Sequence, residues 1–121
     1  MPVRRRQEIL AWAKEEKNRY IIEDDYDSEF RFAAHPMPTM QSLDRAERVI
    51  YMNTFSKTIS PSLRVGYMVL PKHLVPVYKE KLGFYSCTVP VFEQYVLAEL
   101  INSGDFERHI NRVRRERRKK K

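Results

Sequence analysis

Lys57 stands inside Thr54-Phe55-Ser56-Lys57-Thr58, between two apolar runs at 48–52 and 65–70 that read as strands. A lysine amine flanked by small hydroxyl residues at a strand end can condense with an aldehyde to form an imine. A free lysine titrates near about 10.4, so a nucleophilic amine needs surroundings that lower that value. Upstream, the run Tyr20-Ile21-Ile22 empties into Glu23-Asp24-Asp25-Tyr26, a cluster of acids and a phenol at another strand end. An acid there can keep a ring nitrogen protonated, and a phenol can hydrogen-bond a ring oxygen. A lysine, an acid and a phenol in this order are the parts of a pyridoxal phosphate site, in which the cofactor supplies the electron sink and the protein supplies the imine lysine and the acidic partner.

The elements that must hold these residues follow from periodicity and punctuation. Arg4 to Glu16 has helical spacing, with Ile9, Leu10, Trp12 and Ala13 on one face and Arg5, Glu8, Glu15 and Glu16 mostly outside. Tyr20–Glu23 reads as a strand whose near-continuous apolar character suits cover on both sides, as in a parallel sheet. Residues 27–47 carry Pro36 and Pro38 and no clear period, so they read mainly as a long loop, which is unusual in a compact domain unless it lines a site. Arg48–Met52 and Val65–Leu70 are the second and third strands. Pro71 stands near a helix start, and His73–Leu82 fits the helix. Pro90 opens another helix, which Ser103-Gly104-Asp105 stops, with Gly104 suited to the C′ position. Ser103 or Asp105 then caps a last helix from Phe106 to about Arg118. This order predicts an α/β arrangement. Three strands with one flanking helix leave both edges and one face of the sheet in need of cover.

Composition narrows the class. The chain has 121 residues, 42% apolar and 32% charged, the mixture of an ordinary globular protein. No apolar run approaches the roughly 20 residues that span a bilayer, and the basic N-terminus leads into a polar amphipathic segment rather than a signal peptide. The single cysteine, Cys87, has no internal disulfide partner, which implies a reducing compartment and a packed small side chain. The net charge of +7 is local: residues 109–121 hold eight Lys/Arg against one Glu, whereas residues 1–108 hold fifteen of each sign. This is a neutral domain with a basic tail, read first as a solvated helix end. His35, His73 and His109 lack metal-ligand spacing, and no metal site is expected.

Ile21-Ile22-Glu23-Asp24-Asp25-Tyr26-Asp27-Ser28-Glu29-Phe30-Arg31-Phe32, followed by Arg48-Val49-Ile50-Tyr51-Met52-Asn53-Thr54-Phe55-Ser56-Lys57-Thr58, closely resembles fold-type I pyridoxal phosphate enzymes of the aminotransferase class. Within them the chain looks most like the aminotransferase-like domain of MocR-type bacterial regulators of the GntR family, which join an N-terminal winged helix-turn-helix to a cofactor-binding domain. Residues 1–10 and Ser103-Gly104-Asp105-Phe106-Glu107-Arg108-His109-Ile110 also look like that subgroup. By position, the resemblance implies that Lys57 forms the Schiff base with pyridoxal 5′-phosphate. It further implies that Asp24 pairs with the pyridine nitrogen, Tyr26 donates to the ring's phenolic oxygen, and Thr54, Ser56 and Arg64 hold the phosphate. On the residues alone Asp25 is as good an acid as Asp24, and only the family spacing favours Asp24. Arg64 suits a phosphate because its guanidinium offers two parallel donors.

The same resemblance implies a partial fold-type I large domain, three-layered with a mostly parallel sheet, over residues 1–103. Residues 104–121 would be a helix leading toward a small domain. The phosphate-cradling turn, the ring-stacking aromatic and the carboxylate-clamping arginine of the family have no counterpart in the chain, which therefore reads as an internal fragment not expected to be catalytic by itself. Partners implied are a small amine or amino acid, a second copy in the full-length protein, and DNA through a domain outside this chain, all in the cytoplasm with no membrane. A true class I/II aminotransferase, transferring amino groups between amino acids and 2-oxo acids, is the alternative. A small basic-tailed nucleic-acid-binding protein is the next. Asp24-Asp25-Tyr26-Asp27-Ser28-Glu29-Phe30 favours the regulator, because ordinary aminotransferases more often carry a proline–tyrosine pair after the two acids.

Overall fold

The computed structural model describes residues 1–25, 38–56 and 58–119, with all their side chains except that of Arg117. Helix α1 spans Val3–Lys14, β1 Ile21–Asp24, α2 Met40–Leu43, β2 Val49–Thr54, β3 Gly66–Val69, α3 Leu74–Leu82, α4 Val91–Asn102 and α5 Asp105–Lys119. The expected α/β order is present. Pro76 sits inside α3 without breaking it, because it lies in the first turn, where an N–H has no helical partner. The left-handed backbone between α4 and α5 falls on Gly104, at φ 79°, and the hydroxyl of Ser103 accepts the Asp105 N–H at 3.3 Å.

The strands form one sheet in the order β1-β2-β3. β1 and β2 run parallel, with Ile21 opposite Val49 and Asp24 opposite Met52. β3 returns antiparallel, with Thr54 opposite Gly66 and Tyr51 opposite Val69. Alternation along strands divides the side chains between two faces. Ile21, Glu23, Val49, Tyr51, Asn53, Tyr67 and Val69 share one face, on which Val49 and Asn53 are buried. Ile22, Asp24, Ile50, Met52, Thr54 and Met68 share the other. That face is open at β1 and β2, where Ile22 is 66% and Met52 39% exposed, whereas β3 is exposed on both faces. The two-sided cover expected of β1 is therefore absent among the described residues.

The covered face is built around a buried charge. Glu23 accepts the N–H groups of Met40 and Gln41 at 2.7 and 2.9 Å, the first donors of α2. Arg6 of α1 stands 3.7 Å from the same carboxylate and donates to the carbonyls of Met1 and Pro38 at 3.1 and 2.8 Å. One carboxylate thus ties α1, β1 and α2 together. This one-turn helix lies within the span read from sequence as loop, where a single turn leaves no periodicity to detect. Trp12 is also displaced from its expected place on the packed face. It is 50% exposed, and the Arg19 guanidinium lies 4.9 Å over its ring. Ala13 is the residue α1 buries completely. Cys87 is exposed rather than packed.

Entry into β2 depends on Asp44. Its carboxylate accepts the N–H groups of Ala46, Arg48 and Val49 at 3.0, 2.6 and 2.8 Å, closing a turn in which Glu47 adopts φ 55°. Two substitutions test these supports. Glu23→Ala strands the buried Arg6 guanidinium and should cost about 3–5 kcal/mol by urea unfolding, whereas a joint Arg6→Met, Glu23→Leu replacement should lose much less. Asp44→Ala leaves three N–H groups without their acceptor and should cost about 1–3 kcal/mol in the same measurement.

Candidate functional site

Parallel pairing brings the carboxyl ends of β1 and β2 to one edge of the sheet, and the antiparallel β3 begins at that edge. Clefts outside the carboxyl ends of parallel strands are where open α/β sheets bind ligands. Asp24 is the last residue of β1, and its side chain is exposed on the open face. Thr54 ends β2 on the same face, two residues past the partner of Asp24, about 7 Å along the strand. Arg64 lies two residues before β3, exposed at the same edge. Neither the Asp24 carboxylate nor the Arg64 guanidinium meets a side-chain partner among the described residues.

Asp25 is placed differently. Its N–H continues the ladder to the Met52 carbonyl at 3.0 Å, and its side chain is buried. There it accepts the Tyr51 hydroxyl at 3.1 Å, Tyr51 accepts from Asn53 at 3.0 Å, and Asn53 accepts the Thr54 N–H at 2.7 Å. Two adjacent acids that sequence leaves interchangeable thus have different surroundings. Asp25 anchors a network beneath the strand ends, and Asp24 faces outward.

Ser56 is committed to its own loop. Its hydroxyl donates to the Leu63 carbonyl at 2.9 Å, and the Phe55 N–H donates to the Val65 carbonyl at 3.0 Å. These two bonds fold the loop back on itself and set Arg64 at the edge. Lys57 and Tyr26 lie outside the described residues, as do residues 27–37. The donor set that is described suits pyridoxal phosphate in its chemistry: an outward carboxylate for a ring nitrogen, and a guanidinium and a hydroxyl for a phosphate. Ser56 fits that role less well, because its one hydrogen is already given to Leu63.

Residues around this loop include two that the sequence reading did not assign to a site. Phe106 of α5 meets Phe55 edge to face at 5.7 Å between centroids. His109 Nε2 lies 2.7 Å from the Thr58 carbonyl oxygen, and a carbonyl only accepts, so Nε2 carries the proton. Nδ1 is then free to accept from Arg112 at 3.3 Å. The separation of three positions that places Phe106 and His109 on one helix face was the available signal. A cavity of about 480 Å³ beside this contact is lined by Ile59, Leu100, Phe106, His109 and Arg112. At its rim the hydrogen bond from Arg108 holds the Asp105 carboxyl below the usual range, with help from Ser103. The described residues contain no cluster able to hold a metal and no helix long and apolar enough to cross a membrane.

Comparison with known proteins places the sheet and its edge in context. No family model matches the chain. It is 48% identical over 121 residues to the uncharacterized HTH-type transcriptional regulator YdeL of Bacillus subtilis, covering all of this chain and 26% of that protein. It is 45% identical over 101 residues to the probable rhizopine catabolism regulatory protein MocR of Rhizobium meliloti, covering 84% of this chain and 20% of that protein. The chain thus spans about a quarter of the length of the curated relatives it matches. Among solved structures, a kynurenine aminotransferase of Pyrococcus horikoshii, determined in complex with PMP, superposes with a TM-score of 0.82 at 34% identity. That match covers 95% of this chain and 28% of the other. The α-aminoadipate aminotransferase LysN of Thermus thermophilus, complexed with a phosphopyridoxyl-leucine, gives a TM-score of 0.75 at 33% identity over 94% of this chain and 30% of that one. The chain is a homologue of MocR-type regulators of the GntR family, over a stretch that carries part of the fold-type I aminotransferase fold.

Proposed function

We propose that the chain is the pyridoxal 5′-phosphate-binding part of a MocR-type transcriptional regulator, with the cofactor held at the carboxyl edge of the sheet and a small amine or amino acid as effector. The observation that carries this reading is the convergence of Asp24, Thr54 and Arg64 at one edge, two of them on the uncovered face of the strands. Lys57 is the Schiff-base residue, and Tyr26 the hydrogen-bond donor to the ring oxygen. When bound, the cofactor supplies an electron-withdrawing ring to an amine joined to it. Asp24 orients that ring and keeps its nitrogen protonated. Arg64 and Thr54 hold the phosphate, and Ser56 joins them only if it releases Leu63. Asp25, bound to Tyr51, stiffens the strand end without touching the ligand. DNA would be bound by a separate winged-helix domain, with two copies completing the pocket in the cytoplasm.

Amino transfer as a true aminotransferase is the second reading, favoured by the likeness to the kynurenine aminotransferase. There Lys57 would also move the substrate's α-proton. Incubation of the chain, alone and within its full-length protein, with pyridoxal phosphate and amino acids separates the two. Turnover to 2-oxo acid favours the enzyme, and ligand-dependent DNA affinity without turnover favours the regulator.

Cofactor titration followed by absorbance tests the site itself. The native chain should show a saturable band of lysine-bound cofactor that Lys57→Ala abolishes. Arg64→Ala should weaken binding about ten- to a hundredfold, the loss of charge-assisted bonds to a phosphate. Asp24→Asn should shift the pH dependence of the band while leaving phosphate affinity nearly unchanged. Equal affinity in native and Arg64→Ala chains would remove the phosphate assignment.

A further inference from the structure

The strongest unassigned feature is the grip of α5 on the residues either side of Lys57. Phe106 stands against Phe55, two residues before the lysine, and His109 bonds the carbonyl of Thr58, the residue after it. Three positions separate Phe106 and His109, so one face of α5 makes both contacts. Thr58 is 2% exposed, and a buried carbonyl without a donor is costly. Its own hydroxyl and N–H are both directed at the Phe55 carbonyl, at 3.2 Å each, and the Ile59 N–H reaches the same oxygen at 3.0 Å. Those bonds close the turn 55–59 from within, and among the described hydrogen bonds the one from His109 ties the far side of it to another element. Arg112, donating to Nδ1, fixes the tautomer in which Nε2 carries the hydrogen that Thr58 needs.

We infer that α5 braces the turn that carries Lys57, and that His109 is the positioning residue of that turn, acting through the Thr58 carbonyl. This rests on the proposal that Lys57 is the cofactor lysine. The brace itself is a property of the chain without cofactor. Displacement of the segment around Phe55 and Thr58 would therefore move or release Phe106 and His109.

Limited trypsin digestion without cofactor tests the brace directly, because cleavage after Lys57 reports local opening of the turn when opening is fast relative to cutting. Cleavage after Arg48, at the start of β2, serves as the internal reference for general loosening. His109→Leu should speed cutting after Lys57 about tenfold while leaving cutting after Arg48 unchanged, and His109→Gln, which retains an N–H donor at that reach, should return to within about twofold of the native rate. Equal rates after Lys57 in all three chains would overturn the inference. So would a rise at both sites together, or a Gln variant as fast as Leu. Borohydride trapping on the same three chains separates the two proposals. If the trypsin pattern holds but the native chain traps no cofactor, the brace stands and the cofactor reading falls. If all three trap cofactor equally at all concentrations and the trypsin pattern is absent, the cofactor reading stands and the brace falls.

Discussion

Everything at the sheet edge depends on the two-residue alternation of β1. Glu23, Asp24 and Asp25 are consecutive acids, and an extended backbone sends the middle one to the face opposite its neighbours. Glu23 and Asp25 are drawn to the covered side, where each finds donors: backbone N–H groups of α2 with Arg6 beside them for Glu23, and the Tyr51 hydroxyl for Asp25. Asp24 is left on the open side. A slip of one residue against β2 would exchange these roles. It would bury Asp24 and Ile22 and turn Glu23 to solvent. The buried contacts of Glu23 with α1 and α2 therefore hold the register that presents Asp24.

From that register the rest of the edge follows. Parallel pairing sets Thr54 on the same face as Asp24, and the return of β3 starts from the loop that holds Ser56, Thr58 and Arg64. The loop is closed from within by Ser56–Leu63 and Phe55–Val65 and held from without by α5. The aromatic contacts Tyr51–Tyr67, Tyr67–Phe55 and Phe55–Phe106 connect the covered face of the sheet to that helix. A sheet this small, with one face of β1 and β2 uncovered among the described residues, gains much of its definition from such side supports rather than from a large core.

Much of this architecture was legible in the sequence, because strands with continuous apolar runs and helices longer than two turns leave a period to read. Pro90 and Gly104 marked a helix start and a helix end by backbone chemistry alone. What sequence could not show were contacts between distant positions. Arg6 reads as one basic residue among three at the N-terminus, and its burial is decided by Glu23 and Pro38. α2 occupies a single turn and has no period. Asp24 and Asp25 are chemically equal until pairing with β2 separates them. Nothing in the sequence around His109 marks the carbonyl it bonds, which lies 51 positions away.

Kinship with regulators and likeness in fold to aminotransferases converge on the same stretch of chain, and that stretch contains the edge along which Asp24, Thr54 and Arg64 lie. Under the proposed function this edge holds one cofactor rather than presenting a reactive surface. The measurement that tests it most directly is mass-spectrometric mapping of phosphopyridoxyl groups after borohydride reduction at limiting cofactor, across the nine lysines of the chain. A site at Lys57 should give label concentrated on that residue and displaced by excess unlabelled cofactor. Label spread evenly over Lys14, Lys17, Lys72, Lys79, Lys81 and the C-terminal lysines, with Lys57 unremarkable among them, would contradict it.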